Sequence, residues 1–321
     1  MPGPLPLSFD VTDALPSELC EGRRITIAAW LFLPDDLSTL GPVPTLMALL
    51  HGGSYDKRYF HFDVPGRSGY SCAEHLAGLG NIVLLADFLG AGESARLPAQ
   101  RKATRQVAAL ANHAAVTQLC ERLKHGDPAL GLAPLTDVVR IGGGHSLGGM
   151  LTITQQAEHR TYDAVMILGY TAVGVHRLVD GKPTPVVIPQ AAPLEDYICV
   201  DRKPLHASFH WPDVPADVIA ADDALAVPVP ALLGRTAVEY GVVSGDVGRI
   251  ETPVYICQAE LDNSPDPHAE PSYYRASHDV TLHILPRSGH CQNFASTRRE
   301  MWDRMHSWSR SVAGRRARRA E

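Results

Sequence analysis

The sequence predicts an α/β protein built on a doubly wound, mostly parallel sheet, and three observations carry that expectation. Short runs that are apolar on both faces alternate with helix-patterned stretches. One run leads into a glycine cluster around a serine, Gly142-Gly143-Gly144-His145-Ser146-Leu147-Gly148-Gly149. The alternation then stops over 171–249 and resumes beyond it, the pattern expected of a segment inserted between strands of one sheet.

Taken in order, 7–11 and 25–33 read as short strands, the second closed by a Pro-Asp-Asp turn. The run 45–50 is continuously apolar and ends in His51-Gly52-Gly53. A central strand of a parallel sheet needs such a run, because helices cover both of its faces. Residues 81–86 repeat the pattern and end in Asp87-Phe88-Leu89-Gly90-Ala91-Gly92-Glu93-Ser94. Over 104–123, Val107, Leu110, Ala111, Ala114, Leu119, Cys120 and Leu123 mark one face of a helix. Three β-branched residues (Val138, Val139, Ile141) lead to the glycine cluster, followed by a helical stretch at 150–158 and an apolar run at 164–168. Nine of the 25 prolines fall within 171–249, which explains the lost periodicity there. Strands are expected again at 253–258 and 280–285, and helices at 267–277 and 294–308. The core is therefore 1–170 with 250–321, and 171–249 is read as a cap over the carboxyl edge of the sheet, where open α/β sheets bind ligands. The last stretch, 310–321, carries five arginines and reads as a solvated, partly disordered tail.

Composition narrows the function. Apolar residues make up 45% of the 321 and charged residues 20%, a globular balance, and the net charge of −6 argues against a nucleic-acid partner. Residues 1–10 show no basic, apolar leader pattern, and no apolar run is long enough to cross a bilayer. The six cysteines are scattered without a C-x-x-C pair, so buried thiols are expected rather than a disulfide framework or a zinc site. Together these features read as a cytoplasmic protein.

The serine cluster fits G-x-S-x-G, in which Ser146 sits on a sharp strand-to-helix turn that only small neighbours (Gly144, Gly148) allow. A serine hydroxyl needs a base, and the base needs a third group to hold its tautomer. Of 15 histidines, His290 stands directly after the last strand, in Pro286-Arg287-Ser288-Gly289-His290. The acid should follow the preceding strand, where Glu260, Asp262 and Asp266 are candidates. Asp262 is preferred for its place a few residues past the strand end; Asp266 precedes Pro267 and fits a helix cap, and Glu260 stays open. Backbone N–H groups of Leu147 and Gly53 are the expected oxyanion donors. His51 is read as a hydrogen-bonder that shapes its loop.

In their order along the chain, His51-Gly52-Gly53, Asp87-x-x-Gly90-x-Gly92-x-Ser94, Gly144-His145-Ser146-Leu147-Gly148-Gly149, Glu260-x-Asp262 and Ser288-Gly289-His290 resemble the landmark motifs of the α/β-hydrolase superfamily, over about residues 25–310. That resemblance implies an eight-stranded, mostly parallel sheet with a helical cap after the sixth strand, no metal and no organic cofactor. It also implies a structural role for Asp87. Ser146 in place of an aspartate nucleophile speaks against epoxide hydrolases and haloalkane dehalogenases.

The leading expectation is a hydrolase of carboxylic esters, lactones or thioesters acting through an acyl-enzyme. Apolar stretches (186–188 and 226–233) and Tyr197, Phe209, Trp211 and Tyr240 suit a medium-sized apolar or aromatic substrate, or else form the cap's own core. The same triad also serves C–C hydrolases and cyanohydrin lyases, and a non-catalytic binding protein is a third class, disfavoured by the intact triad. Which cap residues line the pocket is not legible in the sequence. The proline-rich segment could pack on itself or against a second copy, giving a homodimer.

Overall fold

A computed structural model of the chain describes residues 3–179, 182–187 and 194–320. Its eight-stranded sheet uses β1 (Leu5–Asp10), β2 (Thr26–Phe32), β3 (Thr45–Leu50), β4 (Ile82–Ala86), β5 (Val139–His145), β6 (Ala164–Leu168), β11 (Val254–Leu261) and β12 (Val280–Gly289), in the spatial order β1-β2-β4-β3-β5-β6-β11-β12. β2 runs antiparallel to β1 and β4; every pairing from β4 to β12 is parallel. The doubly apolar runs are the reason: all positions of β3, β4 and β6 are buried. Side-chain alternation divides them between two cores, with Leu46, Ala48 and Leu50 on one face and Met47 and Leu49 on the other.

The first core is covered by α3 (Arg105–His125) and α4 (Leu147–His159), the second by α2 (Cys72–Gly78) and α9 (Arg298–Ala320). α3 starts where the apolar period does, because the Thr104 hydroxyl accepts the Val107 N–H. The short α1 (Ser17–Cys20) lies between β1 and β2. Between β6 and β11 come β7 (His176–Val179), β8 (Lys182–Pro185), β9 (Tyr197–Ile198), α5 (His206–Phe209), α6 (Ala216–Ala224), β10 (Val229–Pro230), α7 (Ala231–Ala237) and α8 (Ser244–Val247). This stretch is thus mixed rather than wholly helical, with β7 paired to β8 and β9 to β10.

Three expectations need correction. Over 267–277 there is a 3-10 turn, Glu270–Tyr273, in place of a helix. Pro271 has no N–H to give an α-helical ladder, and Glu270 turns inward to accept from Ser264 Oγ (2.6 Å) and the Ala172 N–H (3.0 Å). The last helix starts at Arg298, four residues beyond the expected Phe294. Asn293 is drawn into the core, donating to the Tyr59 carbonyl (3.2 Å) and accepting from Trp302 Nε1 (2.9 Å), so the chain must turn before the helix can begin. That helix then runs through the basic stretch instead of fraying. Val312 and Ala313 are buried on it, Arg315 pairs with Asp279, and Arg316 pairs with Asp137 (2.9 Å) and Asp163 (3.1 Å). Of the six unpaired cysteines four are buried and Cys120 partly so, but Cys199 is exposed. No described helix is long and apolar enough to cross a membrane.

Candidate active site

β5 delivers Ser146 at φ 53° and ψ −119°, a conformation that costs a non-glycine residue energy and persists only when its surroundings enforce it. The surroundings are explicit. The Ser146 N–H donates to the Leu168 carbonyl (2.8 Å), and the Ser146 carbonyl accepts from Gly149 (2.8 Å) and Met150 (3.1 Å) as α4 begins. A Cβ at Gly144 would lie 2.1 Å from the Gly148 carbonyl oxygen, and one at Gly148 would lie 2.3 Å from that of Leu50. The glycine spacing is therefore a steric requirement of the turn. Leu147, the first residue of α4, has an N–H without an intrahelical acceptor.

The loop after β3 is pressed against this turn. A Cβ at Gly52 would meet His145 Nδ1 at 2.8 Å and Ser146 Cβ at 3.3 Å. Gly53 differs, since its missing Cβ would find ordinary contacts with Leu147 and Val229, so its glycine leaves room at the cavity wall. His51 shapes the loop as expected: Nδ1 donates to the Gly52 carbonyl (2.8 Å), and the ring stacks on Phe88 (4.3 Å between centroids). Burial pushes its pKa down against the pull of Asp87. Asp87 accepts from the Lys57 N–H (2.7 Å), Lys57 Nζ (2.7 Å) and the Glu93 N–H (2.9 Å), fastening its turn to the loop from outside the cavity.

Of the three candidate acids, the structure brings Asp262 to His290: Oδ1 accepts from the ring Nδ1 at 2.7 Å. Its other oxygen accepts from the Ala259 N–H (2.7 Å) and Gln292 Nε2 (3.2 Å), and Oδ1 also accepts from the Asn263 N–H (2.8 Å). Glu260 instead accepts from the Arg287 N–H (2.8 Å), and Asp266 caps the turn at His268 (3.1 Å). Both sides of the His290 backbone are also fixed. Its carbonyl accepts from His145 Nε2 (2.8 Å), and its N–H donates to the Ser208 carbonyl (2.8 Å). Burial holds His145 well below the usual imidazole range, so its neutral ring donates through Nε2 while packing on Tyr59 (4.5 Å).

Ser146, His290, Gly53 and Leu147 line one cavity of about 620 Å³. Sequence reasoning missed Asn263, whose Nδ2 lies 3.1 and 3.3 Å from the two ring nitrogens of His290, and Gln292; neither belongs to a motif. Of the four aromatics singled out between 171 and 249, Phe209 alone lines the cavity; Tyr240 is 70% exposed, and Tyr197 donates to the Gly90 carbonyl (3.0 Å). Val186 and Val229 line it, Val187 is exposed, and Ile188 lies outside the described residues. A second hollow, of about 750 Å³, contains none of the motif residues. Its guanidinium groups are already engaged, Arg140 with Asp163 (3.0 Å) and Arg160 with Glu251 (3.3 Å).

Sheet order, serine turn and cavity define a class of α/β proteins that present a serine at the carboxyl edge of a parallel sheet. Residues 47–303 match the alpha/beta hydrolase family, and the chain belongs to it. No curated protein matches the chain in sequence. Among solved structures it is similar to a thermophilic esterase from Thermogutta terrifontis, described with malate bound (TM-score 0.60, 14% identity, 96% of this chain and 99% of that one). It is also similar to Est1E from Butyrivibrio proteoclasticus with ferulic acid bound (0.56, 16%, 92% and 98%). A monoacylglycerol lipase from Paleococcus ferrophilus gives 0.58 at 17%, covering 89% and 99%. At these identities the likeness is one of fold.

Proposed function

We propose that the chain hydrolyses a carboxylic ester, lactone or thioester through an acyl-enzyme formed on Ser146. The observation that carries this reading is the 2.7 Å contact from Asp262 to His290 Nδ1 on the cavity that Ser146 lines. With Nδ1–H held by the carboxylate, Nε2 carries the lone pair that accepts the Ser146 proton, displacing the Asn263 amide now 3.3 Å from it. Ser146 Oγ bonds to the carbonyl carbon, and the electron pair moves to the carbonyl oxygen, which the Leu147 and Gly53 N–H groups receive. Collapse expels the alcohol or thiol with the proton returned from His290, and water repeats the sequence to release the acid. Segment 171–249 acts as the cap, and its Val186, Phe209 and Val229 make a wall suited to a medium-sized apolar or aromatic group. Esterase and lipase activity among proteins of the same fold agrees with this chemistry.

Intact-mass analysis after incubation with a small fluorophosphonate tests the proposal. One adduct on the wild type is expected, with none on Ser146→Ala or His290→Ala. A wild type left unlabelled, or an adduct that survives Ser146→Ala, would overturn it. Aryl esters assayed beside a cyanohydrin and a vinylogous diketone then separate ester hydrolysis from lyase or C–C bond chemistry.

A further inference from the structure

At the cavity wall, of which Tyr55 is a part, three separate stretches of chain converge on a buried ion pair that the proposed chemistry does not use. Arg202 Nη2 donates to both carboxylate oxygens of Asp222 (2.8 and 2.7 Å), and Nη1 donates to the Asp222 carbonyl (2.8 Å). The two side chains are 3% and 0% exposed. Tyr55 completes the group: its hydroxyl donates to Asp222 Oδ1 (2.9 Å), accepts from Arg202 Nη2, and lies 3.1 Å from Cys291 Sγ. The Arg202 guanidinium sits over the Tyr55 ring at 4.2 Å, and His210 Nε2 is 3.0 Å from Asp222 Oδ2. Burial keeps the Tyr55 phenol and the Cys291 thiol protonated, so Arg202 and Asp222 are the charges to be matched, with His210 beside them.

The connections of this cluster are what give it meaning. Tyr55 stands two residues beyond Gly53, and Cys291 directly follows His290. Both Arg202 and Asp222 belong to the stretch between β6 and β11, which is joined to these loops by backbone bonds as well. Val227 donates to the Ser54 carbonyl (3.0 Å), and His290 and Cys291 donate to the carbonyls of Ser208 (2.8 Å) and Phe209 (2.9 Å). Filling the same volume with apolar side chains would generally cost no stability and often add some. What apolar contacts lack is direction. Charged hydrogen bonds from both terminal nitrogens of one planar guanidinium restrict how Arg202 and Asp222 sit, and Tyr55, bonded to both, carries that restriction to the Gly53 loop.

We infer that Arg202 and Asp222 are positioning residues, which act through Tyr55 and the 206–210 backbone to hold the Gly53 loop and His290 in register with Ser146. The inference rests on the proposed serine-hydrolase reading. On this account the 202–227 stretch is a fixed part of the catalytic framework rather than a flap that opens as a unit.

The test uses Tyr55→Phe, which deletes one hydroxyl, and the paired replacement Arg202→Met/Asp222→Leu, which removes both charges together. Each is measured for melting temperature, for the rate of labelling by the small fluorophosphonate, and for kcat and KM on an aryl ester that the wild type cleaves. Tyr55→Phe is expected to slow labelling about tenfold, the worth of one hydrogen bond. The paired variant is expected to melt near the wild type yet label about 10²-fold more slowly, with the loss in kcat rather than KM, as for a misplacement of about 1 Å. A purely structural cluster predicts the reverse: the folded paired variant would label within about threefold of wild type, and that result overturns the inference. If the paired variant does not fold, Tyr55→Phe decides alone, and labelling at the wild-type rate refutes the role. An unlabelled wild type is a different failure, that of the hydrolase reading itself, and the positioning role falls with it.

Discussion

Replacing Asp262 with asparagine asks the site a question of hydrogen-bond direction, and the structure dictates the answer. The carboxylate accepts at Oδ2 from the Ala259 N–H and Gln292 Nε2, and at Oδ1 from the Asn263 N–H and His290 Nδ1. An amide keeps one accepting oxygen and acquires a donor. Gln292 cannot easily turn its own amide to oblige, because the same Nε2 also donates to the Cys257 carbonyl (3.2 Å). The oxygen of the introduced amide therefore remains toward Ala259 and Gln292, and its NH2 group faces His290. There it conflicts with one donor, the Asn263 N–H, instead of two. His290 must respond by accepting at Nδ1, which moves its proton to Nε2 and leaves nothing to take the proton from Ser146. A wrong-tautomer triad loses about 10⁴ in kcat, equivalent to about 5.4 kcal/mol at 1.36 kcal/mol per decade. The assay is steady-state hydrolysis of an aryl ester by Asp262→Asn, with a thermal melt to confirm folding. Activity within about tenfold of wild type would refute the reasoning and return the acid's role to Glu260 or Asp266.

Three further predictions concern stability. Gly148→Ala puts a Cβ 2.3 Å from the Leu50 carbonyl and 2.6 Å from that of His51, both backbone atoms; urea unfolding should show a loss of at least about 2 kcal/mol, and a loss under about 0.5 kcal/mol would contradict the packing argument. Lys57→Met leaves the buried Asp87 carboxylate without its 2.7 Å cation and should cost about 3–5 kcal/mol by the same method, whereas a neutral effect would mean that Asp87 is already satisfied by backbone donors. Acid should destabilise the fold from near neutrality. Burial lowers the pKa of His51 and His145, so below about 6.5 the unfolded chain binds protons that the folded one does not, and stability falls with pH by up to about 1.36 kcal/mol per unit for each ring. Glu270, raised by burial, works in the opposite sense above its ordinary range, but burial also lowers His61, His113, His283 and His306, so it stands as one group against six. Melting temperatures read from pH 8 to pH 5 should therefore decline, and a flat or rising profile would count against buried neutral imidazoles.

Why some of this was legible in the sequence and some was not follows from the range of each constraint. β3, β4 and β6 are covered on both faces, so every residue in them had to be apolar or small, and five or six such residues in a row are visible without a partner. The serine turn is as readable, because Gly144 and Gly148 answer to backbone atoms that any such turn brings close. The choice of Asp262 over Glu260 and Asp266 rested on distance from the strand end; in the structure the other two carboxylates are occupied by N–H groups of Arg287 and His268. Long-range ion pairs leave no such trace. Arg315 and Arg316 looked like parts of a solvated tail because Asp279, Asp137 and Asp163 lie at distant strand ends and in turns. Arg202 and Asp222 looked like two charges in a proline-rich stretch, since Tyr55, which joins them to the site, is 147 and 167 residues away. A guanidinium pairs with any carboxylate the fold brings to it, so its residue type says nothing of which one. Steric demands on the backbone are met by a residue's own neighbours and appear as motifs, whereas a charge acquires its role only when the fold supplies its partner, as Tyr55 does for Arg202 and Asp222 of the stretch between β6 and β11.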